Sequence, residues 1–307
     1  MILKIGTRGS KLALAQSRWV KENIEARHPN IRVELVRIKT TGDKILDSPL
    51  SKIGGKGLFV KEIEEALIEK SVDLAVHSMK DVPAELPDGL TIAVFPERED
   101  PRDALISRGN LTLDQLPKGA TVGTSSLRRA AQLLHIRQDL NMVPLRGNVD
   151  TRLRKLESGE LSAIILATAG LRRLGLADRI TQVLSSERVL PAIGQGALGL
   201  EVRRDDEQTI SHIKFLNHKS TEITIRAERA FLKKMQGGCQ VPIAGFARLD
   251  AETVHLTGMV AELDGTNLLR DEIAGEMNQT EKIGITLAER LLSVGAGKIL
   301  ESIYGAV

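Results

Sequence analysis

The sequence predicts an α/β protein made of two strand-and-helix lobes and a small α+β C-terminal domain. Short apolar strands alternate with amphipathic helices through residues 1–202. One succession occurs twice, near Ser10 and near Ser126: a strand, then a turn rich in Thr and Ser, then a helix. After residue 220 several strands come in succession before a helix, which is typical of a separate α+β unit.

The first lobe begins with a strand at residues 2–6 and a helix that runs from the N-cap Ser10 to Arg27. The pattern then predicts a strand at 31–38, a helix at 58–70, and strands at 72–77 and 90–95. Strands that alternate with helices in this way predict a largely parallel sheet.

The second lobe begins near residues 98–101. Its predicted elements are a strand at 121–123, a helix from Ser126 to about 137, a strand at 142–145, a helix from Asn148 to about 157, and a strand at 163–167. A segment rich in Gly and Pro, 190–196, precedes a strand at 197–202 that we expect to return to the first lobe. The two lobes would then be joined by a two-strand hinge.

The last part of the chain predicts a helix from Ser220 to Met235, three strands and a helix from about residue 280. The strands fall at 243–249, 253–262 and 267–274. The resulting domains are 1–97 with 197–217, 98–196, and 218–307.

Composition excludes several classes of protein. The formal net charge of +3 and an aromatic content of 2% argue against nucleic-acid binding, which uses basic surfaces and stacking side chains. The longest uncharged apolar run, 163–171, is too short to span a membrane, and charged residues interrupt any signal peptide. One cysteine cannot form an intrachain disulfide, so we expect the cytoplasm. Scattered histidines predict no metal site, and the absence of a heptad pattern favours a monomer.

Two strand-to-helix turns, 7–10 and 124–129, combine hydroxyl groups with arginine and indicate anion sites. Residues 121–155 hold seven basic residues against two acidic ones. A solvated basic helix face is the alternative interpretation. No P-loop or Gly-x-Gly-x-x-Gly motif is present, so a ligand with several carboxylates fits better than a nucleotide.

Three further segments carry candidate chemistry. Asp81 follows a strand beside Lys80 and is suited to acid–base or electrostatic catalysis, or is a turn residue before Pro83. Residues 42–57 contain a Gly-Gly-Lys-Gly run and predict a mobile lid or an ordinary exposed loop. Cys239 lies on a Gly-Gly turn, so it is either a reactive thiol or an inert packing residue.

Together these segments resemble the porphobilinogen deaminase family, also called hydroxymethylbilane synthases, over essentially the whole chain. The resemblance rests on several motifs in one order, which are 5–10 (IGTRGS), 54–59 (GGKGLF), 77–83 (HSMKDVP), 123–129 (GTSSLRR), 146–152 (RGNVDTR), 166–171 (LATAGL) and 237–239 (GGC).

The resemblance implies two lobes like those of periplasmic binding proteins, with the active site in the cleft, and a third domain that carries the cofactor cysteine. It implies a dipyrromethane cofactor held by a thioether to Cys239. The implied reaction condenses four porphobilinogen molecules head to tail with loss of ammonia, and hydrolysis then frees hydroxymethylbilane. The implied partner is this small substrate alone, with no nucleic acid and no membrane.

The resemblance also assigns roles to residues of this chain. Asp81 is implied to be catalytic. The implied cofactor-binding residues are Cys239, Lys80, Asp81, Thr124, Ser126, Arg128, Arg129 and Arg146. The implied substrate-binding residues are Arg8, Ser10, Arg146, Arg152 and Arg173. A second hypothesis is a non-catalytic sensor or transport module that binds a small carboxylate between its lobes, and it leaves Cys239 without a role.

Overall fold

The computed structural model describes residues 1–44, 57–238 and 241–305. The strands in these ranges are β1 (Ile2–Thr7), β2 (Arg32–Arg37), β3 (Leu74–Ser78), β4 (Leu90–Val94), β5 (Asp103–Ser107), β6 (Thr121–Gly123), β7 (Asn141–Val143), β8 (Ala163–Ala167), β9 (Gln182–Val183), β10 (Leu198–Arg203), β11 (Ile243–Asp250), β12 (Thr253–Ala261) and β13 (Leu268–Glu276). The helices are α1 (Lys11–Arg27), α2 (Thr41–Lys44), α3 (Lys61–Ile68), α4 (Leu127–Ile136), α5 (Val149–Glu157), α6 (Thr168–Arg173), α7 (Glu207–Ile213), α8 (Lys219–Lys234), α9 (Thr280–Ser293) and α10 (Ala296–Tyr304).

The first sheet has the strand order β2-β1-β3-β10-β4. β1 pairs in parallel with β2 and with β3, whereas β10 is antiparallel to both β3 and β4. The sheet is therefore mixed and less parallel than predicted: two of its four strand pairings are antiparallel, because β10 runs in the reverse direction. Alternate residues of β3 face opposite sides: Leu74 joins the core cluster that contains Val20 of α1, and Ala75 joins the cluster that contains Ile63 of α3.

The second sheet repeats this plan, with the order β7-β6-β8-β5-β9. β6 pairs in parallel with β7 and with β8, and β5 is antiparallel to both β8 and β9. The reversed strand again holds the fourth place. The sequence pattern did not predict β5 and β9. Both strands are defined by their pairing within this sheet.

The third sheet is an antiparallel meander of β11, β12 and β13. Phe231 of α8 is fully buried in the core cluster that packs against this sheet. Gly258 allows this close approach, because a Cβ there would lie 2.8 Å from Phe231 Cζ. The predicted α+β pattern is confirmed, and α10 adds a further helix that the sequence did not predict.

Contacts divide the chain into two compact units. Among the described residues the first unit contains 1–44, 57–99 and 197–222, and the second contains the rest. The second and third sheets thus belong to one unit, and the proposed division into three domains stays a prediction. Within the described ranges, no helix is long and apolar enough to cross a membrane.

Candidate functional site

The first sheet collects four of the predicted site residues at one edge. Arg8 and Ser10 follow β1, and Lys80 and Asp81 lie in the short 3₁₀ turn that follows β3. Because β1 and β3 are parallel hydrogen-bonded neighbours, their carboxyl ends meet at the same edge. The Gln16 side chain confirms this proximity, since its Nε2 donates to Ser78 Oγ at 3.0 Å.

The turn after β1 is built as the sequence predicts. Ser10 is the N-cap of α1, and its Oγ accepts a hydrogen bond from the backbone N–H of Ala13 at 3.2 Å. The guanidinium carbon of Arg8 lies 4.3 Å from the centroid of the Phe59 ring, a cation–π contact. Phe59 therefore helps to place the arginine that the resemblance assigns to the substrate.

The turn Met79–Asp81 is fixed by its backbone. The N–H of Met79 donates to the carbonyl of Ala197 at 3.0 Å, and the N–H of Val82 donates back to Met79 at 3.3 Å. Met79 is buried, whereas Lys80 and Asp81 are half-buried. The fold thus places a cationic and an anionic side chain next to each other at the sheet edge.

The second sheet collects a matching group at the ends of β6, β7 and β8, which run in the same direction. Thr124 follows β6, Arg146 lies beyond β7, and Thr168 follows β8. The N–H of Thr124 donates to the carbonyl of Val143 at 2.9 Å, which extends the pairing of β6 with β7. Hydroxyl and guanidinium groups therefore share one edge of the second sheet.

The start of α4 leaves a hydroxyl available. Ser126 stands at the N-cap position, but in the described part of the chain its side chain makes no capping hydrogen bond. Its backbone N–H donates instead to Thr124 Oγ1 at 3.2 Å. A helix N-terminus with this geometry can accept an anionic group from a ligand.

Arg128 and Arg129 point to Asp103, a residue that the sequence reasoning missed. Arg128 Nη1 lies 2.8 Å from Asp103 Oδ2, and Arg129 donates to Asp103 Oδ1 from Nε at 2.9 Å and from Nη2 at 2.7 Å. All three side chains are buried. Burial raises the pKa of Asp103, but attraction to both arginines and their hydrogen bonds outweigh it, so this pKa lies well below its ordinary value.

The two arginines also bind backbone carbonyls. Arg128 Nη1 donates to the carbonyl of Leu190 at 2.6 Å, and Arg129 Nη1 donates to that of Ile165 at 3.1 Å. Burial lowers the pKa of Arg128, and its attraction to Asp103 opposes this effect. These contacts give both arginines an internal structural role, and their role in cofactor binding stays a prediction.

Arg146 differs from the other predicted arginines. Its Nη1 is buried, and among the residues that the structure describes it has no hydrogen-bond partner. Arg152 Nε donates to the carbonyl of Gly147 at 2.8 Å, and Arg173 Nη2 donates to that of Gly196 at 2.8 Å. A buried N–H group without an acceptor is costly, so Arg146 marks a place where a ligand acceptor would bind.

The predicted cofactor cysteine, Cys239, lies outside the described residues, as does most of the predicted lid 42–57. The backbone before the cysteine is described. Gly237 follows α8 and its N–H donates to the carbonyl of Leu232 at 3.3 Å. Tyr304 Oη donates to the carbonyl of Gln236 at 3.0 Å, so α10 contacts the turn that leads to the cysteine.

Thr168 is a second residue that the sequence reasoning missed. Its side chain is buried, and its Oγ1 has no hydrogen-bond partner within the described ranges. It lies inside the motif 166–171, so its position directly after a strand was the available signal. Asp103 gave no such signal, because its partner Arg129 is 26 positions away.

The fold and these strand-end groups define an α/β protein with hydroxyl and cationic side chains at two sheet edges. Comparison with known families makes this class specific. Residues 3–211 match the model of "Porphobilinogen deaminase, dipyromethane cofactor binding domain", and residues 222–293 match the model of the C-terminal domain of the same family. The chain belongs to the porphobilinogen deaminase family.

Curated relatives agree along nearly the whole length. The chain is 57% identical over 302 residues to a porphobilinogen deaminase of Geobacter metallireducens, covering 98% of this chain and 95% of the relative. It is 56% identical to that of Geobacter sulfurreducens, with the same coverage. These matches confirm the predicted family, the class of enzyme and the dipyrromethane cofactor.

Among solved structures, the chain is similar to the periplasmic aliphatic sulphonate binding protein of Escherichia coli. The TM-score is 0.41 at 16% identity, covering 76% of this chain and 70% of that one.

The residues present fit a dipyrromethane group. A cofactor built from carboxylated pyrroles offers carboxylate oxygens, and the buried Nη1 of Arg146 lacks an acceptor within the described part of the chain. Ser126 lies at the N-cap of α4, and its side chain makes no capping hydrogen bond in the described part of the chain. Its hydroxyl adds a second polar group to the same edge of the second sheet.

Proposed function

We propose that this chain condenses four porphobilinogen molecules head to tail, with loss of one ammonia at each step, and then releases hydroxymethylbilane by hydrolysis. The observation that carries the proposal is the match of both domain models of one family, over residues 3–211 and 222–293. Identity of 57% to a porphobilinogen deaminase over 98% of the chain supports it.

The proposed cofactor attachment is a thioether between dipyrromethane and Cys239, the only cysteine in the sequence. When bound, dipyrromethane supplies the pyrrole to which the first porphobilinogen is joined. Lys80, Asp81, Thr124, Ser126, Arg128, Arg129 and Arg146 are the proposed residues that hold it. The buried, unsatisfied Nη1 of Arg146 supports its place in this group, since no acceptor is found for it among the described residues.

Asp81 is the proposed catalytic residue. Loss of ammonia from an aminomethyl pyrrole leaves positive charge, and each new carbon–carbon bond replaces a carbon-bound hydrogen that departs as a proton. A half-buried carboxylate can offset that charge and accept that proton. Arg8, Ser10, Arg146, Arg152 and Arg173 are the proposed partners of the acetate and propionate groups of the substrate, because guanidinium forks bind carboxylates in two-point contacts.

Intact-mass measurement of the purified protein tests this function. We expect the wild type to carry an adduct of two pyrrole units, and Cys239→Ala to lack both the adduct and turnover. Asp81→Ala should keep the adduct and bind porphobilinogen, yet form almost no product. An active wild type without an adduct would exclude the proposed cofactor.

The same experiment separates the enzyme from a carboxylate-binding module. A binding module would retain affinity for small carboxylates in Cys239→Ala, would carry no adduct, and would release no ammonia from porphobilinogen. Near-normal turnover of Asp81→Ala would remove that residue from the catalytic role.

We further infer that the protein is a cytoplasmic monomer with the three domains given above. The reducing cytoplasm suits a free thiol that must react with its cofactor. The three separate sheets support the three domains. Light scattering coupled to size-exclusion chromatography checks the monomer, since a dimer would double the measured mass.

A further inference from the structure

Three ionisable side chains come together inside the first unit, on β3, β10 and α3. His77 of β3 lies two residues after Ala75, which faces α3. Glu201 of β10 is paired with Ala75, so it lies on the same face of the sheet. Glu64 lies on the buried side of α3 between Ile63 and Leu67. We call Glu64, His77 and Glu201 the buried cluster.

The buried cluster has little contact with solvent. Exposure is 7% for Glu64, 5% for His77 and 0% for Glu201. His77 Nε2 lies 2.8 Å from Glu201 Oε2, whereas Glu64 Oε1 and Glu201 Oε1 are buried without a hydrogen-bond partner in the described part of the chain. Burial raises the pKa of Glu64 to about 7; repulsion by Glu201 adds to the rise, and His77 opposes it.

The interior therefore favours a neutral Glu64. A dry environment disfavours an unpaired charge, and the raised pKa of Glu64 favours its carboxylic acid next to the contact between His77 and Glu201. Loss of the proton from Glu64 would add a negative charge to a buried site.

The other charged groups on α3 and on the strands that pack against it are exposed or have partners elsewhere. Arg203 of β10 donates to the carbonyls of Leu67 and Val72 and pairs with Asp206. Lys61, Glu62 and Glu65 belong to α3 itself; Lys61 and Glu65 are exposed, and Glu62 accepts from the N–H of Thr41. Lys4 of β1 is exposed.

The same pair of strands fixes the turn that carries Lys80 and Asp81. Pairing of β3 with β10 continues through His77 to Ser78, and the N–H of Met79 then binds the carbonyl of Ala197. The Met79 side chain fills the space over Gly199, where a Cβ would overlap its sulfur. A change in how α3 packs on β3 and β10 would thus move this turn.

We propose that Glu64, His77 and Glu201 are positioning residues for the turn Met79–Asp81, and that their packing between α3, β3 and β10 holds the turn in its catalytic place. This inference rests on the function proposed above. The three residues act through the backbone of β3 and β10, and they do not contact the substrate.

Steady-state kinetics of Glu64→Gln tests the proposal, because glutamine has the same shape and cannot ionise. We expect the ratio of its kcat to that of the wild type to rise about fivefold between about pH 6 and about pH 8, as Glu64 of the wild type loses its proton. Glu69→Gln, at the exposed C-cap of the same helix, is the matched control and should give a constant ratio near one.

Glu201→Gln provides a second variant with a different readout. Without its carboxylate partner, His77 loses its fixed orientation, so we expect kcat to fall by about tenfold while KM for porphobilinogen stays within about twofold. Intact mass should show the cofactor adduct in every variant. A pH-independent ratio for Glu64→Gln, or equal changes in kcat and KM for Glu201→Gln, would overturn the positioning role. Absence of the adduct and of turnover in the wild type would instead refute the proposed function.

Discussion

Asp103 is buried between two guanidinium groups at the start of α4, and this arrangement sets the local charge. Two cations face one anion, so the group of Asp103, Arg128 and Arg129 keeps one net positive charge. Arg129 uses Nε, Nη1 and Nη2 in bonds within the protein. We infer that this arginine attracts a cofactor carboxylate by charge at a distance, whereas Arg146 offers a direct hydrogen bond.

Asp103→Asn tests this group. The change leaves two buried guanidinium groups without a counter-charge, and breaking such a pair costs about 3–5 kcal/mol of unfolding free energy. Urea unfolding at neutral pH measures the loss. The matched control is Asp114→Asn, because Asp114 pairs with Arg188 at 2.7 Å on the surface, where ion pairs contribute about 0–1 kcal/mol. Similar losses in the two variants would contradict the buried pairing.

The pH dependence of the same variant has a defined sign. The pKa of Asp103 is lowered in the folded protein, so its contribution to stability is present above the pKa of an unfolded Asp, about 3.9, and is lost as the pH falls towards the folded value. The difference in unfolding free energy between the wild type and Asp103→Asn should therefore shrink below about pH 4.

Sequence reasoning could identify residues with a local role but not their distant partners. Ser10 and Asn148 were predicted as N-caps and accept the expected backbone hydrogen bonds, because capping depends only on residues within one turn. His77 and Glu201 are 124 positions apart. Nothing in the local pattern of either residue indicates the other, and the buried cluster becomes visible only in the fold.

Helices and strands were predictable where their own cap residues and apolar spacing define where they begin and end. α1 and α5 begin and end where the cap and the apolar spacing predict. β9 has two residues and exists through its pairing with β5. α10 starts after Gly295, whose φ of 110° is a backbone conformation suited to glycine. Short elements defined by tertiary contacts lie beyond what periodicity can predict.

Glu228 of α8 joins two elements through both of its oxygens. Its Oε2 accepts from the N–H of Gly194 at 2.7 Å, and its Oε1 accepts from the N–H of Ala247 in β11 at 2.8 Å. Glu228→Gln places an amide group against one of these N–H donors. We expect a loss of about 1–3 kcal/mol in urea unfolding, the cost of leaving a buried donor unsatisfied.

Glu289→Gln is the control for Glu228→Gln. Glu289 pairs with Lys234 of α8 at 2.8 Å, but both side chains are largely exposed, so its loss should cost about 0–1 kcal/mol. If the two variants unfold at the same urea concentration, Glu228 does not join the 190–196 segment to the third sheet.

At the scale of the whole molecule, the first two sheets share one plan. Their orders, β2-β1-β3-β10-β4 and β7-β6-β8-β5-β9, match strand for strand, and each has its reversed strand in fourth place. In the first sheet the reversed strand, β10, comes last in the sequence. In the second sheet the reversed strand, β5, comes first. Because of this repetition, the predicted strand-end groups follow the second and third strands of the plan in both sheets, and in the second sheet Arg146 also lies beyond the first strand.

The second unit contains two sheets, and Gly265 lies where they meet. Its φ of +74° is left-handed, and a Cβ there would lie 2.6 Å from the carbonyl oxygen of Ala131 and from the backbone nitrogen of His135. His135 Nδ1 also contacts the carbonyl of Gly265 at 2.9 Å. The turn between β12 and β13 is therefore packed directly on the backbone of α4.

Gly265→Ala should loosen both of the sheets that the second unit contains. Backbone strain costs about 1–2 kcal/mol, and overpacking adds about 1–3 kcal/mol, so hydrogen exchange should rise in α4 and in β12 and β13 together. Gly119→Ala is the matched control, since its φ of +77° imposes the same strain but nothing lies within 4 Å of the added Cβ. Exchange in β1 and β3 should stay at its wild-type rate in both variants. A rise confined to the turn between β12 and β13 would show that the second and third sheets open independently, and that the unit they form is not cooperative.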